Sequence, residues 1–232
     1  MVFGISIREI HIPLIGGVEF GYLFPLITFL WLIGLTNFFN FMDGINGLAA
    51  SEALVVSGAL GVVSYYLGNT LIFYTSIILF GSVLGFLPHN FPKAKIFMGD
   101  GASNFLGFVF ASLAVIGSQG EHAVIPFLIP SILLMMFLLD AGTTLIKRLP
   151  KGKKWLEPHR DHYYQRLIKS GLSHLQVTLL YSILNVVLGG VAYAYLIASS
   201  DLVRAGLLAL SGVPFVFVVI ITFRREQRIS SN

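Results

Sequence analysis

The sequence predicts an all-α fold: a polytopic bundle of transmembrane helices, about seven spans, with a cytoplasmic C-terminus. Three observations carry this reading. Charged residues make up only 11% of the 232-residue chain, against about 25% in ordinary soluble domains. Hydrophobic residues reach 56%, with a mean hydropathy of +0.83. The Lys and Arg residues also fall in links that alternate topology places on a single side of a membrane. Residues 1–232 form one membrane domain, with no separate soluble domain of any size.

In chain order, residues 1–20 alternate loosely (Ile5, Ile7, Ile10, Ile12) around Gly16 and Gly17, which predicts a small extracytoplasmic hairpin. Arg8, Glu9, His11, Pro13 and Glu19 do not fit a cleavable signal peptide. Spans are predicted at 21–41, 47–67, 70–88, 102–119, 121–147, 176–198 and 203–223, each near the roughly 20 apolar residues that cross a bilayer. The fourth is short and rich in small residues, as suits a tilted helix or one packed inside the bundle. Links 68–69, 119–121 and 199–202 are short. Links 89–101 and 148–175 are longer and basic, and the tail after 223 carries Arg224, Arg225 and Arg228. Two helices separate each of these basic pieces, so they share a side with the turn 42–46. That side holds 13 of the 15 Lys and Arg; only Arg8 and Arg204 fall opposite. The bias makes this side cytoplasmic and makes 148–175 a cytoplasmic loop.

The chain has no cysteine, which excludes disulfides, thiolate catalysis and cysteine-ligated zinc. The net charge of +4 and pI near 9.4 report orientation in the membrane rather than nucleic-acid binding.

Three polar clusters fall on the cytoplasmic side. The first holds Asn37, Asn40, Asp43, Gly44, Asn46 and Gly47. Asn40 and Asp43 would share a helical face, with Asn37 one turn back. A carboxylate at the end of an apolar segment is costly unless it faces a polar cavity, although Asn, Asp and Gly also make ordinary turns and caps. The second holds Lys93, Lys95, Gly99, Asp100, Gly101, Ser103 and Asn104. A carboxylate between glycines at a helix start suits a hard cation shared with phosphate, and nearby lysines favour anions. The bland alternative is a helix capped by Asp100 or Ser103, with lysines that only mark topology. The third runs Glu157, Pro158, His159, Arg160, Asp161, His162, Tyr163, Tyr164, Gln165, Arg166 and on to Lys169 and His174. Histidines beside arginines suit a diphosphate. A surface amphipathic helix on anionic lipid reads equally well. Asp140 and Glu52 sit inside predicted spans, Asp140 as a cavity or ion-pair residue and Glu52 as a cap or site residue. His122 falls on the outer side, and Trp31 and Trp155 suit packing or interface anchoring.

Taken together, the three clusters in this order resemble the polyprenyl-phosphate N-acetylhexosamine-1-phosphate transferases. The carrying residues are Asn37 to Ala49, Phe97 to Ser103, and His159 to Arg166. The form of the third motif is most similar to the branch that initiates O-antigen and related surface polysaccharides. The resemblance implies a bacterial inner-membrane enzyme with its active face cytoplasmic. It would move N-acetylhexosamine-1-phosphate from a UDP-N-acetyl sugar to polyprenyl phosphate, releasing UMP. It implies Mg2+ (Mn2+ in its place) with Asp100 and Asp43 as catalytic and metal-ligating residues. It further implies that Asn37, Asn40, Asn46, Lys95, His159, Arg160 and His162 bind substrate. Membrane lipids are partners, and a homodimer is compatible.

Two departures from the family pattern stand out. Many members carry Asp at Asn46. Members are also longer and carry an Asp-Asp-x-x-Asp motif ahead of the first cluster, whereas this sequence has no adjacent Asp pair. The expectation is a C-terminal portion of such an enzyme. The alternatives are an inactive or partner-dependent chain that binds without turnover, and a lipid or sugar transporter.

Overall fold

The computed structural model describes residues 6–119, 124–148 and 161–231. A hairpin of β1 (Glu9–Ile12) and β2 (Gly16–Glu19) pairs antiparallel, with Ile10 opposite Val18. Ten helices follow among the described residues: α1 Phe24–Phe41, α2 Leu48–Tyr66, α3 Thr70–Asn90, α4 Gly99–Ser118, α5 Leu128–Leu133, α6 Met135–Arg148, α7 Tyr163–Lys169, α8 His174–Ile197, α9 Asp201–Leu210 and α10 Val213–Ser230. Pro25 falls in the first turn of α1, where a missing N–H costs no hydrogen bond. Asn69 and Ser173 cap α3 and α8 with their side chains.

Six helical rods are long and apolar enough to cross a membrane: α1 with its leading 3-10 turn, α2, α3, α4, α8, and α9 with α10. The chain is a multi-pass membrane protein with an all-α bundle. Large side chains such as Phe29, Leu30, Ile78, Val186 and Phe217 point outward, as lipid contact requires and water would penalise.

The predicted fifth span is built differently. It begins at Leu128 rather than 121, and Leu134 (φ −94°, ψ 7°) divides it into α5 and α6. The Ser131 hydroxyl bonds back to the Phe127 carbonyl at 2.9 Å, a bond that loosens a helix ladder locally. Ile129 to Leu133 are all buried, so this broken rod runs through the protein rather than along lipid. The C-terminal tail also departs from expectation: α10 continues to Ser230, carrying Arg224 to Arg228 as helix. Glu226 accepts both guanidinium arms of Arg166 at 2.8 and 2.7 Å, and Arg225 donates to Ser170. These bonds tie the last helix to α7.

The two ends of the bundle are closed by different chemistry. At one end the hairpin is stitched to α4: Gln119 donates to the Glu9 carbonyl at 3.0 Å, and the Arg8 amide donates to Gln119. The opposite end gathers the polar clusters. Between the two ends, α1 and α4 approach so closely that a Cβ on Gly107 would lie 2.8 Å from the Phe39 Cβ and 2.9 Å from the Thr36 Cα. Helices that pack within a membrane need such small residues. Gly107→Ala should therefore push α1 from α4 and cost about 1–3 kcal/mol, read as a lower thermal unfolding midpoint in detergent.

Candidate functional site at the polar face

The first two clusters meet at the end of α1. The Asn40 amide donates to the Asp100 Oδ1 at 3.1 Å and to the Ser103 hydroxyl at 2.8 Å. Ser103 in turn donates back to the Gly99 carbonyl at 3.0 Å. Neither Asp100 nor Ser103 caps α4; the helix starts at Gly99, after Met98, without a side-chain cap. The first turn of α4 thus has no cap from its own N-cap side chain, and Asp100 is exposed within it.

Asp43 lies beyond the helix, in the turn between α1 and α2. Burial raises its carboxyl from 3.8 to about 6; a hydrogen bond from the Gly99 amide opposes that shift and the neighbouring Asp100 charge adds to it. Two carboxylates repelling each other at one place call for a cation. Among the described residues there is no group of three or more His, Asp or Glu able to hold a metal. The donor set nonetheless fits magnesium, which takes one or two carboxylates and fills its remaining positions with water and substrate phosphate.

The turn itself is held from several sides. Gly47 precedes α2 at φ +77°, a left-handed conformation that favours glycine, and its amide donates to the buried Asn90 Oδ1 at 2.8 Å. Asn90 also donates to the Ile96 carbonyl at 2.9 Å, so one side chain joins both cluster-bearing loops. The Asn46 amide group donates to the Pro92 carbonyl at 3.2 Å, its backbone N–H to the His174 Nδ1 at 3.4 Å, and its carbonyl accepts from Thr178. Asn46 thus ties the turn to the α3–α4 loop and to α8. Asn37 stands apart: its amide folds back to the Ile33 carbonyl at 2.7 Å. Lys95 is exposed on the loop before α4.

The third cluster is anchored by a residue whose role the sequence left open. Asp140, fully buried in α6, accepts the Tyr163 amide at 2.8 Å, the Tyr164 amide at 3.1 Å and the Tyr181 hydroxyl at 2.6 Å. A buried carboxylate thus receives the first amides of α7. His162 precedes that helix, only 3% exposed, with its Nδ1 3.5 Å from the Asp140 Oδ1. Tyr164 stacks on it and donates its hydroxyl to the Phe41 carbonyl at 2.9 Å. Burial pushes the Tyr164 hydroxyl up, which keeps it a donor. The α7 segment is thereby locked to the end of α1, beside Asp43. Lys147 donates to the Tyr163 hydroxyl, and Arg148 pairs with Asp161 at 2.7 Å. Asp140, Asn90 and Tyr181 each betray themselves in sequence only as polar groups inside apolar segments. His159, Arg160, Glu157, Trp155 and His122 lie outside the described residues.

Fold and site define a multi-pass membrane protein with an acidic pair at one face. The family model described as glycosyl transferase family 4 matches residues 1–118, which hold the first two clusters. The chain belongs to this family, the polyprenyl-phosphate N-acetylhexosamine-1-phosphate transferases. It is 35% identical over 166 residues to a probable undecaprenyl-phosphate N-acetylglucosaminyl 1-phosphate transferase of Bacillus subtilis (strain 168), covering 71% of this chain and 46% of that one. It is 34% identical to a decaprenyl-phosphate N-acetylglucosaminephosphotransferase of Mycolicibacterium smegmatis, covering 78% of this chain and 50% of that one. A phospho-N-acetylmuramoyl-pentapeptide-transferase of Leuconostoc citreum is 40% identical over 46% of this chain and 32% of its own length. The chain spans about half the length of the first two relatives.

Two predictions follow from the geometry. Asp140→Ala strands two helix amides and a tyrosine hydroxyl, and should cost on the order of 3 kcal/mol in thermal unfolding. Protons compete with a cation for Asp43, so magnesium affinity should be full above about pH 6 and fall as pH drops through that value. Calorimetric titration of magnesium across that range checks it, and Asp43→Asn should weaken binding and remove the pH dependence.

Proposed function

We propose that this chain carries the nucleotide-sugar and metal end of a transferase that moves N-acetylhexosamine-1-phosphate from a UDP-sugar to a polyprenyl phosphate. A phosphate oxygen of the lipid attacks the sugar-bearing phosphorus. The bond from that phosphorus to the bridging oxygen breaks, and UMP leaves with the electron pair. The products are a sugar-diphospho-lipid and UMP. The observation that carries the reading is the bond from Asn40 to Asp100 beside Asp43, which places two separate sequence clusters in one acidic site.

Phosphoryl transfer of this kind needs positioning and electrostatic stabilisation more than covalent chemistry. Asp43 and Asp100 would hold magnesium, which when bound neutralises charge on the phosphate oxygens. Asn40 holds the Asp100 carboxylate in place and Ser103 holds Asn40. Lys95 is placed to attract an anion from the loop before α4. Asn46 and Asn90 keep the turn and that loop in register. His162, clamped by Asp140, brings the third motif against the same turn. His159 and Arg160 are assigned the diphosphate by family resemblance.

The relatives' names support an N-acetylglucosamine-type donor, and the His159 to Gln165 form of the third motif supports, by family resemblance, a surface-polysaccharide role such as O-antigen initiation. The 13 basic residues on the side of the site support a cytoplasmic active face in the inner membrane. A second reading is favoured by one observation: two carboxylates, without a third ligating side chain among the described residues. In that reading the chain binds nucleotide sugar and turns over only with further acidic groups from another polypeptide.

The test is UMP release from UDP-N-acetylglucosamine by membranes carrying the chain, with polyprenyl phosphate supplied. Asp100→Asn should remove nearly all turnover, and unchanged activity would sink the metal assignment. Asn40→Ala, which releases a ligand from its support, should lower turnover by roughly ten- to a hundredfold.

A further inference from the structure

Glu52 lies one turn into α2, and Asn185 lies midway along α8. Glu52 is fully buried and Asn185 is 1% exposed. The Asn185 amide nitrogen donates to the Glu52 Oε2. The other carboxyl oxygen, Oε1, and the Asn185 Oδ1 have no hydrogen-bond partner. Among the described residues, Glu52 belongs to no ion pair.

The groups around the pair offer no charge to balance it. On α8, the Tyr181 hydroxyl is committed as a donor to Asp140, and α5 carries no titratable residue. Tyr74 and His89 on α3 are exposed rather than directed inward. An ionised carboxylate here would be an uncompensated charge inside the hydrocarbon layer, the most expensive of all arrangements. It would also leave two buried acceptors facing a shortage of donors. One added proton corrects both faults. A carboxylic acid O–H donates to the Asn185 carbonyl while the Asn185 N–H donates to the acid carbonyl. Acid and amide then close a ring in which each gives and accepts one bond.

We propose that Glu52 stands in the membrane as a neutral carboxylic acid paired in both directions with Asn185. The pair is a positioning device that sets α2 against α8, and so sets the 42–47 turn that leads into α2 and that Asn46 fastens to α8 through Thr178 and His174. Glu52 touches no substrate in this role. The positioning part rests on the function proposed above, whereas the protonation does not.

Infrared difference spectroscopy of the purified full chain in nanodiscs, native against Glu52→Gln, tests the first part without any turnover. A carboxylic acid carbonyl band present in the native protein and absent from the variant, unchanged from acid to alkaline pH, is expected. A carboxylate band in its place overturns the proposal. The second part is read in the UMP-release assay. Gln can form the same two-way ring with an amide, so Glu52→Gln should keep the native KM and kcat. Glu52→Leu strands Asn185 and should lose roughly tenfold in turnover. Equal loss in both variants would mean that the carboxyl acts as a charge or proton carrier and would overturn the positioning role. A native chain without turnover would overturn the reading in which this chain turns over alone, while the infrared result still decides the protonation.

Discussion

The structure depends on one buried carboxylate. Asp140 receives two backbone amides of α7 and the hydroxyl of Tyr181 on α8, and His162 lies against it. Three helices and the third motif therefore share one acceptor. A carboxylate without these donors would not be tolerated in the bundle, and helix amides without an acceptor would not be tolerated either. The mutual need is what makes the arrangement specific. Once α7 is pinned, its Tyr164 reaches the Phe41 carbonyl at the end of α1, and the polar face closes around the turn that holds Asp43.

That turn is fastened by amides rather than by charges. Asn90 bonds to both Gly47 and Ile96, and Asn46 reaches Pro92. Neutral side chains suit this work because they satisfy backbone groups without adding a charge that must be solvated. At this turn the negative charge is left to Asp43 and Asp100; the burial of Asp43 and the neighbouring Asp100 charge prepare Asp43 for a cation. The glutamate inside α2 follows the same logic at a deeper level, with an amide as its partner.

The far side of α7 is built on different physics. The Tyr163 ring lies under both Lys147, at 4.6 Å, and Arg166, at 4.7 Å, with the Phe223 ring edge-on. Glu226 then holds Arg166. Cations at a membrane surface can bury their stems on aromatic rings while their heads stay wet. Part of the basic excess on this face is therefore structural glue as well as a topology signal.

The sequence by itself determined the membrane class, the order and rough bounds of the spans, the hairpin, and the side on which the polar clusters gather. Those features follow from hydropathy and charge summed over some twenty residues, and local composition carries them. It also identified Asn40, Asp43 and Asp100 as candidates, because polar residues at the ends of apolar segments are conspicuous. Only the tertiary structure decided that Asn40 grips Asp100 while Asn37 turns back on its own helix. The same holds for Asp140 acting as the cap of α7, for Asn90 joining two loops, and for the fifth rod breaking at Leu134. Each depends on which donor meets which acceptor, or on one backbone turn, and not on composition. The Asn40–Asp100 bond spans 60 positions and the Tyr164–Asp140 bond 24; such pairings leave no periodic trace along a chain, so folding in three dimensions had to choose them.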